Sequence, residues 1–284
     1  MIAILAGLGA AAAFAASVLA STVASRRIGA GSTVGWVLLI GFPIAAVAAL
    51  ADTTGLTAAA LAWLLVAGLG NVIGLGCAYA ALRIGRVSVV APLVSSEGAV
   101  ASLLSILAGA RFTGILLLAL GIIVAGGAMT AASVEPVGSE QPRRSDAGLL
   151  SVALALLAAI CFGSGLYATG RVSQSLPLGW VLLPARLCGV LLVTVPLAAR
   201  GRLRIERAIA PALVVAGLAE VVGFLCLGIG ARMDITITSV LASQFAAFAA
   251  IGAVFLFGER LGTLQKVGIL GIAIGTALVA AVGA

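Results

Sequence analysis

The sequence predicts an all-α integral membrane protein of about ten transmembrane helices, arranged as two inverted five-helix repeats around a central cavity. Three observations lead there: a surface too apolar for water, polar breaks at the spacing of membrane spans, and an internal duplication. Hydrophobic residues make up 63% of the chain and charged residues 9%, with a mean hydropathy of +1.29. A soluble domain carries about 25% charged residues, so the solvent for most of this surface is lipid. Thirty-seven glycines and abundant alanine add to the case, because helices in lipid approach one another on small residues. Spans of about 20 residues with short loops use nearly the whole chain and leave no separate soluble domain.

Taken in order, span 1 lies near residues 2 to 24 and ends at Arg26 and Arg27. It follows Met1 without a basic n-region and is too long for a cleaved leader, so it is kept as a helix. Span 2 (33 to 51) stops at Asp52, span 3 (57 to 81) before Arg83 and Arg86, and span 4 (87 to 109) before Arg111. Span 5 runs from 113 to 132. The stretch from Ser133 to Asp146 holds Glu135, Pro136, Gly138, Glu140, Pro142, Arg143 and Arg144, and is the one linker-like segment. It separates a first repeat, residues 1–132, from a second, residues 147–284, with residues 133–146 as a cytoplasmic linker. Spans 6 to 10 are expected near 147 to 170, 178 to 198, 208 to 230, 234 to 257 and 264 to 283.

Residues 66 to 83 match residues 215 to 232 at a constant offset of 149. The identities are Val66/Val215, Ala67/Ala216, Gly68/Gly217, Leu69/Leu218, Val72/Val221, Gly74/Gly223, Cys77/Cys226 and Arg83/Arg232. Gly35-Trp36-Val37-Leu38-Leu39 likewise matches Gly179-Trp180-Val181-Leu182-Leu183 at an offset of 144. Shared Trp, Cys and Arg at constant spacing exceed what biased composition produces. An odd number of spans per repeat inverts the second copy. Charge supports the same topology, since Arg26, Arg27, Arg83, Arg86, Arg143, Arg144, Arg200, Arg202, Arg204, Arg207, Arg260 and Lys266 all fall at odd-numbered loops. Those loops are expected in the cytoplasm and both termini outside, in a multi-pass protein of the plasma or inner cell membrane.

Three segments resemble the drug/metabolite transporter superfamily, and within it the ten-helix EamA-like permeases. Ala80-Ala81-Leu82-Arg83-Ile84-Gly85-Arg86-Val87-Ser88-Val89-Val90-Ala91-Pro92-Leu93 is similar to that family's junction between its third and fourth helices. Gly258-Glu259-Arg260-Leu261 with Gln265 and Gly268 resembles its signature between the ninth and tenth, and Leu156 to Gly165 its small-residue repeat start. The resemblance implies a basket of ten helices whose cavity opens alternately to each side. The chain departs from the pattern at Ala110, where the second repeat has Glu259, and at Glu97, where the family more often has proline.

Charges at the bilayer centre cost about 2.5–3.5 kcal/mol on insertion scales, so mid-span ions mark candidate sites. There are three: Glu97 in span 4, Arg186 in span 7 and Glu220 in span 8. A guanidinium grips a carboxylate with two donors, and a carboxylate holds an ammonium or carries a proton. Arg186 is therefore the candidate for a solute carboxylate, and Glu97 and Glu220 for its amine or for coupling; the competing reading is a structural ion pair between Arg186 and one glutamate, leaving the other acid free. Asn71, the repeat mate of Glu220, with Ser96, Gln244 and Tyr79, completes the candidate binding set, and Ser95 and Ser243 lie at similar depth. Pro92 and Pro184 can kink their helices. Gly70/Gly74 and Gly271/Gly275 read as packing seams, within one chain or between the subunits of a homodimer. The basic run Arg200 to Arg207 reads as an orientation signal, and Glu259 as a helix-end cap.

Sixteen Lys and Arg give a charge of +7, yet their dispersal between apolar runs leaves no basic face for nucleic acid. The chain has no histidine, which excludes Ser-His-Asp chemistry and histidine metal sites. It also lacks a phosphate-binding glycine loop followed by lysine. Neither an enzyme nor a resident cofactor is expected. The partners are the bilayer and a small solute, and the expected function is secondary transport, in the export direction, of small polar metabolites resembling amino acids. The alternatives are a flippase for a lipid-linked head group and a non-transporting scaffold or sensor.

Overall fold

The structure is a computed structural model that describes residues 1–50, 56–109, 114–132, 143–172, 176–233, 241–242, 244–259 and 261–282. Among these, all regular structure is helical. The first three spans form α1 (Ile2–Ile28), α2 (Ala30–Leu50) and α3 (Ala58–Ile84). Gly29, at φ 87°, takes the left-handed turn between α1 and α2, and Arg26 and Arg27 sit at the negative end of the α1 dipole. The Thr57 hydroxyl accepts the Ala60 amide and starts α3. Beyond α3 the Ser151 side chain occupies the space a Cβ on Gly85 would need.

The fourth span is not one helix. It divides into α4 (Val87–Val94) and α5 (Glu97–Leu107) around a turn at Ser95 and Ser96. The Ser95 hydroxyl donates to the Pro92 carbonyl and that of Ser96 to the Leu93 carbonyl, each at 2.8 Å. These bonds compete with the helical ladder where Pro92 has already removed a donor. Then come α6 (Gly114–Ala132), α7 (Arg143–Val172) and α8 (Leu178–Gly189). A π-turn, Val190–Thr194, joins α8 to α9 (Val195–Ala199). Pro196 has no N–H for the carbonyl of Leu192, and the wide turn precedes it directly. A short 3₁₀ turn, Arg207–Ile209, leads into α10 (Ala210–Met233). Of the ninth span the structure describes Leu241, Ala242 and Gln244 with α11 (Phe245–Phe257); residues 234–240 and Ser243 lie outside the described residues. Gly258, at φ 63°, closes α11, and α12 (Thr263–Val282) follows.

Six stretches among the described residues are long and apolar enough to cross a membrane: Ile2–Ile28, Ala30–Leu50, Ala58–Ile84, Gly148–Thr169, Leu182–Ala199 and Arg207–Gly230. Shorter apolar helices occupy Val87–Ala101, Leu117–Gly126, Phe245–Phe257 and Thr263–Leu278. Leu61, Leu65, Leu118 and Phe255 are more than half exposed, as side chains that face lipid are. The four cysteines are free and half-buried.

The main helix pairs each cross from the first half of the chain to the second: α3 with α7, α1 with α10, α6 with α12, and α2 with α8. Small residues make these approaches. The Phe162 ring lies on Gly74 and the Phe14 ring on Gly223. A Cβ on Gly70 would stand 2.7 Å from the Cys161 carbonyl oxygen, and one on Gly275 2.9 Å from that of Ala119. Both meet backbone, which cannot step aside without parting the helices. Gly70→Ala and Gly275→Ala should each lower the thermal unfolding temperature in detergent, by the equivalent of about 1–3 kcal/mol. Gly76→Ala, where a Cβ meets nothing within 4 Å, should leave it unchanged or raise it; equal losses in all three would show that these approaches do not limit packing.

Candidate functional site

A cavity of about 610 Å³ is lined by α1, α3, α7, α8 and α10, with α4, α5 and α11 contributing to its sides. Its walls are mainly apolar and include the rings of Phe14, Phe162, Phe224 and Phe245. Phe14 meets Phe224 edge-on at 5.2 Å and Phe245 at 6.3 Å between ring centres. Into this setting project Ser17, Asn71, Tyr79, Glu97, Thr169, Arg186 and Glu220.

Among the described residues Arg186 is the largest fully buried side chain, 1% exposed. Its Nη2 lies 3.3 Å from Glu220 Oε1 on α10, and its guanidinium stacks over the Phe224 ring with its centre 5.1 Å away. Gly41 on α2 makes the space: a Cβ there would stand 3.2 Å from Arg186 Nε and 3.0 Å from the Val221 side chain. Pro184, one half-turn earlier, touches Gly68 with its carbonyl and ties α8 to α3. Five atoms on or beside this pair have no hydrogen-bond partner: Arg186 Nε and Nη2, Glu220 Oε2, Asn71 Oδ1 and the Tyr79 hydroxyl. The Tyr79 hydroxyl lies near those of Ser17 and Ser21. A buried polar atom left unpaired costs about 1–3 kcal/mol, so a cavity wall that carries several is chemically prepared for a polar guest.

Glu97 opens α5, half-buried, on the cavity wall. The turn at Ser95 and Ser96 places it there, and α7 fixes its backbone, since a Cβ on Gly163 would stand 2.6 Å from the Glu97 carbonyl oxygen. Among the described residues no cation pairs with it. The arrangement therefore couples Arg186 with Glu220 and leaves Glu97 as the free acid.

The structure thus brings Arg186, Glu220, Glu97, Asn71 and Tyr79 to one cavity and leaves Ser96 and Gln244 off its wall. The Ser96 hydroxyl is folded back on the Leu93 carbonyl. Gln244 forms the turn before α11, where its carbonyl accepts the Ala247 and Phe248 amides. Sequence reasoning missed Ser17, Thr169 and the four phenylalanines. One signal was available, because Phe14 and Phe162 stand 148 apart, close to the offset of 149 that relates the duplicated segments.

Glu220→Leu strands the Arg186 guanidinium and should cost about 3–5 kcal/mol of stability, whereas combining it with Arg186→Leu should recover most of that loss. Thermal unfolding of the two single variants and the double variant measures this. Losses that simply add would show that the two residues do not act as a pair.

Residues 1–132 match the family model of the EamA-like transporter family. No curated protein matches the chain significantly. A solved structure, described only as the crystal structure of a protein, aligns over 98% of this chain and 96% of that chain with a TM-score of 0.66 and 16% sequence identity. It shares the fold alone. The apolar helices and the match over residues 1–132 support a multi-pass membrane protein, and the family matched is one of small-molecule transporters. Residues 1–132 carry the sequence pattern of the EamA-like transporter family, which belongs to the drug/metabolite transporter superfamily.

Proposed function

We propose that the chain is a secondary transporter, working as an exporter, of small polar metabolites that resemble amino acids, by alternating access. The observation that carries the reading is the cavity itself: a buried arginine with unused donors, a paired glutamate with an unused oxygen, a free glutamate and aromatic walls in one space. A solute carboxylate would take the Arg186 donors, its ammonium would meet Glu220 Oε2 or Glu97, and an apolar side chain would lie among the phenylalanine rings. Glu97, free of any ion pair among the described residues, is the group assigned to coupling.

In this reading the membrane is crossed ten times by two inverted repeats. One crossing is shared by α4 and α5, one by α8 and α9, and one by α11 with the residues before it. Packing supports the inversion. If α1 corresponds to α7 and α3 to α10, then the α3–α7 pair has α10–α1 as its mate, and these are two of the main pairs. The contacts match in detail: Phe162 on Gly74 answers Phe14 on Gly223, and Gly68 against Pro184 answers Gly217 against Ile40. Arginine-rich loops would face the cytoplasm of a plasma or inner membrane, with both termini outside.

The test is solute-dependent thermal stabilisation across an amino-acid and metabolite panel, with wild type, Arg186→Ala, Glu97→Gln and Glu220→Gln. A zwitterion should stabilise wild type and bind at least about tenfold more weakly to Arg186→Ala. Equal stabilisation of all four proteins would move the binding site elsewhere. In proteoliposomes a proton gradient should drive accumulation by wild type, while Glu97→Gln should still exchange solute and not accumulate it; accumulation by Glu97→Gln would remove the coupling role.

A further inference from the structure

One group of buried polar contacts lies outside the cavity wall, at the junction of α3 and α4. Glu259, 9% exposed, follows the left-handed Gly258 beyond α11. Its two carboxylate oxygens accept the backbone amides of Val87 and Ser88, each at 2.9 Å. Gln265, 1% exposed in the first turn of α12, donates its Nε2 to the Ser88 hydroxyl at 2.9 Å. The glutamate therefore caps not its own helix but the start of α4, a segment buried along its whole length. Across the same junction Arg26, at the end of α1, donates Nε to the Leu82 carbonyl at 3.2 Å and Nη2 to the Gly85 carbonyl at 3.0 Å. Its guanidinium lies 5.0 Å from the centre of the Phe257 ring, at the end of α11. The ends of α1, α3 and α11 and the start of α4 are thus drawn together at one point. Leu82, which accepts the Arg26 bond, also lines the cavity, as does Val90 one turn into α4.

We propose that Glu259 and Gln265 form the gate latch of the cavity at this end of the molecule, and that Glu259 positions α4, and through it Glu97, while the latch is shut. The proposal rests on the alternating-access reading. The chemistry of the contact suits a latch better than a fixed brace. The glycine seams bring backbone against backbone, and parting them would bare surfaces that gain nothing from water. Every group in the latch, by contrast, is well hydrated when released: a carboxylate, two backbone amides, a hydroxyl and a carboxamide. Opening exchanges protein hydrogen bonds for water hydrogen bonds at small net cost, whereas in the closed, dry state the charge-assisted bonds and the field at the α4 N-terminus favour closure. The duplication supplies an asymmetry. At the offset of 149 the counterpart of Glu259 is Ala110, whose methyl group accepts nothing. The sequence duplication thus does not repeat the latch carboxylate, and the structure shows the Glu259 end shut.

The test is sidedness of access to a reporter cysteine, Ala91→Cys, on the cavity wall behind the latch. The reporter is placed in a chain whose Cys77, Cys161, Cys188 and Cys226 are replaced by alanine, and is labelled with a membrane-impermeant maleimide in right-side-out and inside-out vesicles. With the latch intact, labelling should come from one face only. Glu259→Gln, which turns an acceptor into a donor toward the two amides, should raise labelling from the other face about tenfold. Gln265→Leu, which leaves the carboxylate in place, should raise it less, and Glu259→Asp should restore part of the original pattern. Unchanged sidedness in both Glu259→Gln and Gln265→Leu, an equal rise from both faces, or no labelling of any variant from either face would each overturn the proposal. The assay uses no solute, so the two readings fail separately. Altered sidedness without solute binding would leave the latch standing and remove the assigned solute, and solute binding with unaltered sidedness would remove the latch alone.

Discussion

A guanidinium held inside a helical bundle has to carry its counter-charge with it, and much of the arrangement around the cavity follows from that requirement. Arg186 can be buried on α8 only because Glu220 arrives from α10, Phe224 lies beneath it on the same helix, and Gly41 on α2 withholds a side chain. Three helices are thereby held in register by one residue. The pairing is incomplete by design of the geometry: a single contact at 3.3 Å leaves two guanidinium nitrogens and one carboxylate oxygen without hydrogen bonds. A fully satisfied pair would be structural only. This one retains valences that face a space large enough for a guest.

Much of this was legible in the sequence, and for a physical reason. Charge in the middle of an apolar run is so costly that composition alone singles out Glu97, Arg186 and Glu220, and all three line the cavity. The duplication led from Glu220 to Asn71. Which glutamate would pair with Arg186 was not legible, because it depends on which helix faces α8, a matter of packing. Ser96 lies off that wall for a related reason: hydropathy is blind to hydrogen bonds made over three or four residues. The Ser95–Ser96 turn and the π-turn before Pro196 both interrupt runs that read as continuous spans. The Ser96 hydroxyl answers its own backbone and not the cavity.

Two kinds of contact hold the bundle. The glycine seams, such as Gly70 against α7 and Gly275 against α6, are dry and tight and tolerate no added atom. The contacts around Val87, Ser88 and Glu259 are polar and directional. Sequence signals for the two differ accordingly. Seams follow from glycine spacing on one helix, whereas a carboxylate that caps a helix far away in the chain looks, in sequence, like a local helix end.

The cross-paired layout of the helices bears on how the protein is made. During synthesis α1, α2, α3 and α6 enter the bilayer before any of α7, α8, α10 and α12, their principal neighbours, exists. Gly126 on α6 has its closest approaches to Gly268 and Ile272 of α12, a helix made long after it. The early helices must therefore wait in lipid with their small-residue faces uncovered until their partners, α12 among them, arrive. Neither half can be expected to assemble alone, since each is the packing surface of the other. An insertion machinery that shelters α1, α2, α3 and α6 until those partners are made is, for this architecture, part of the folding pathway.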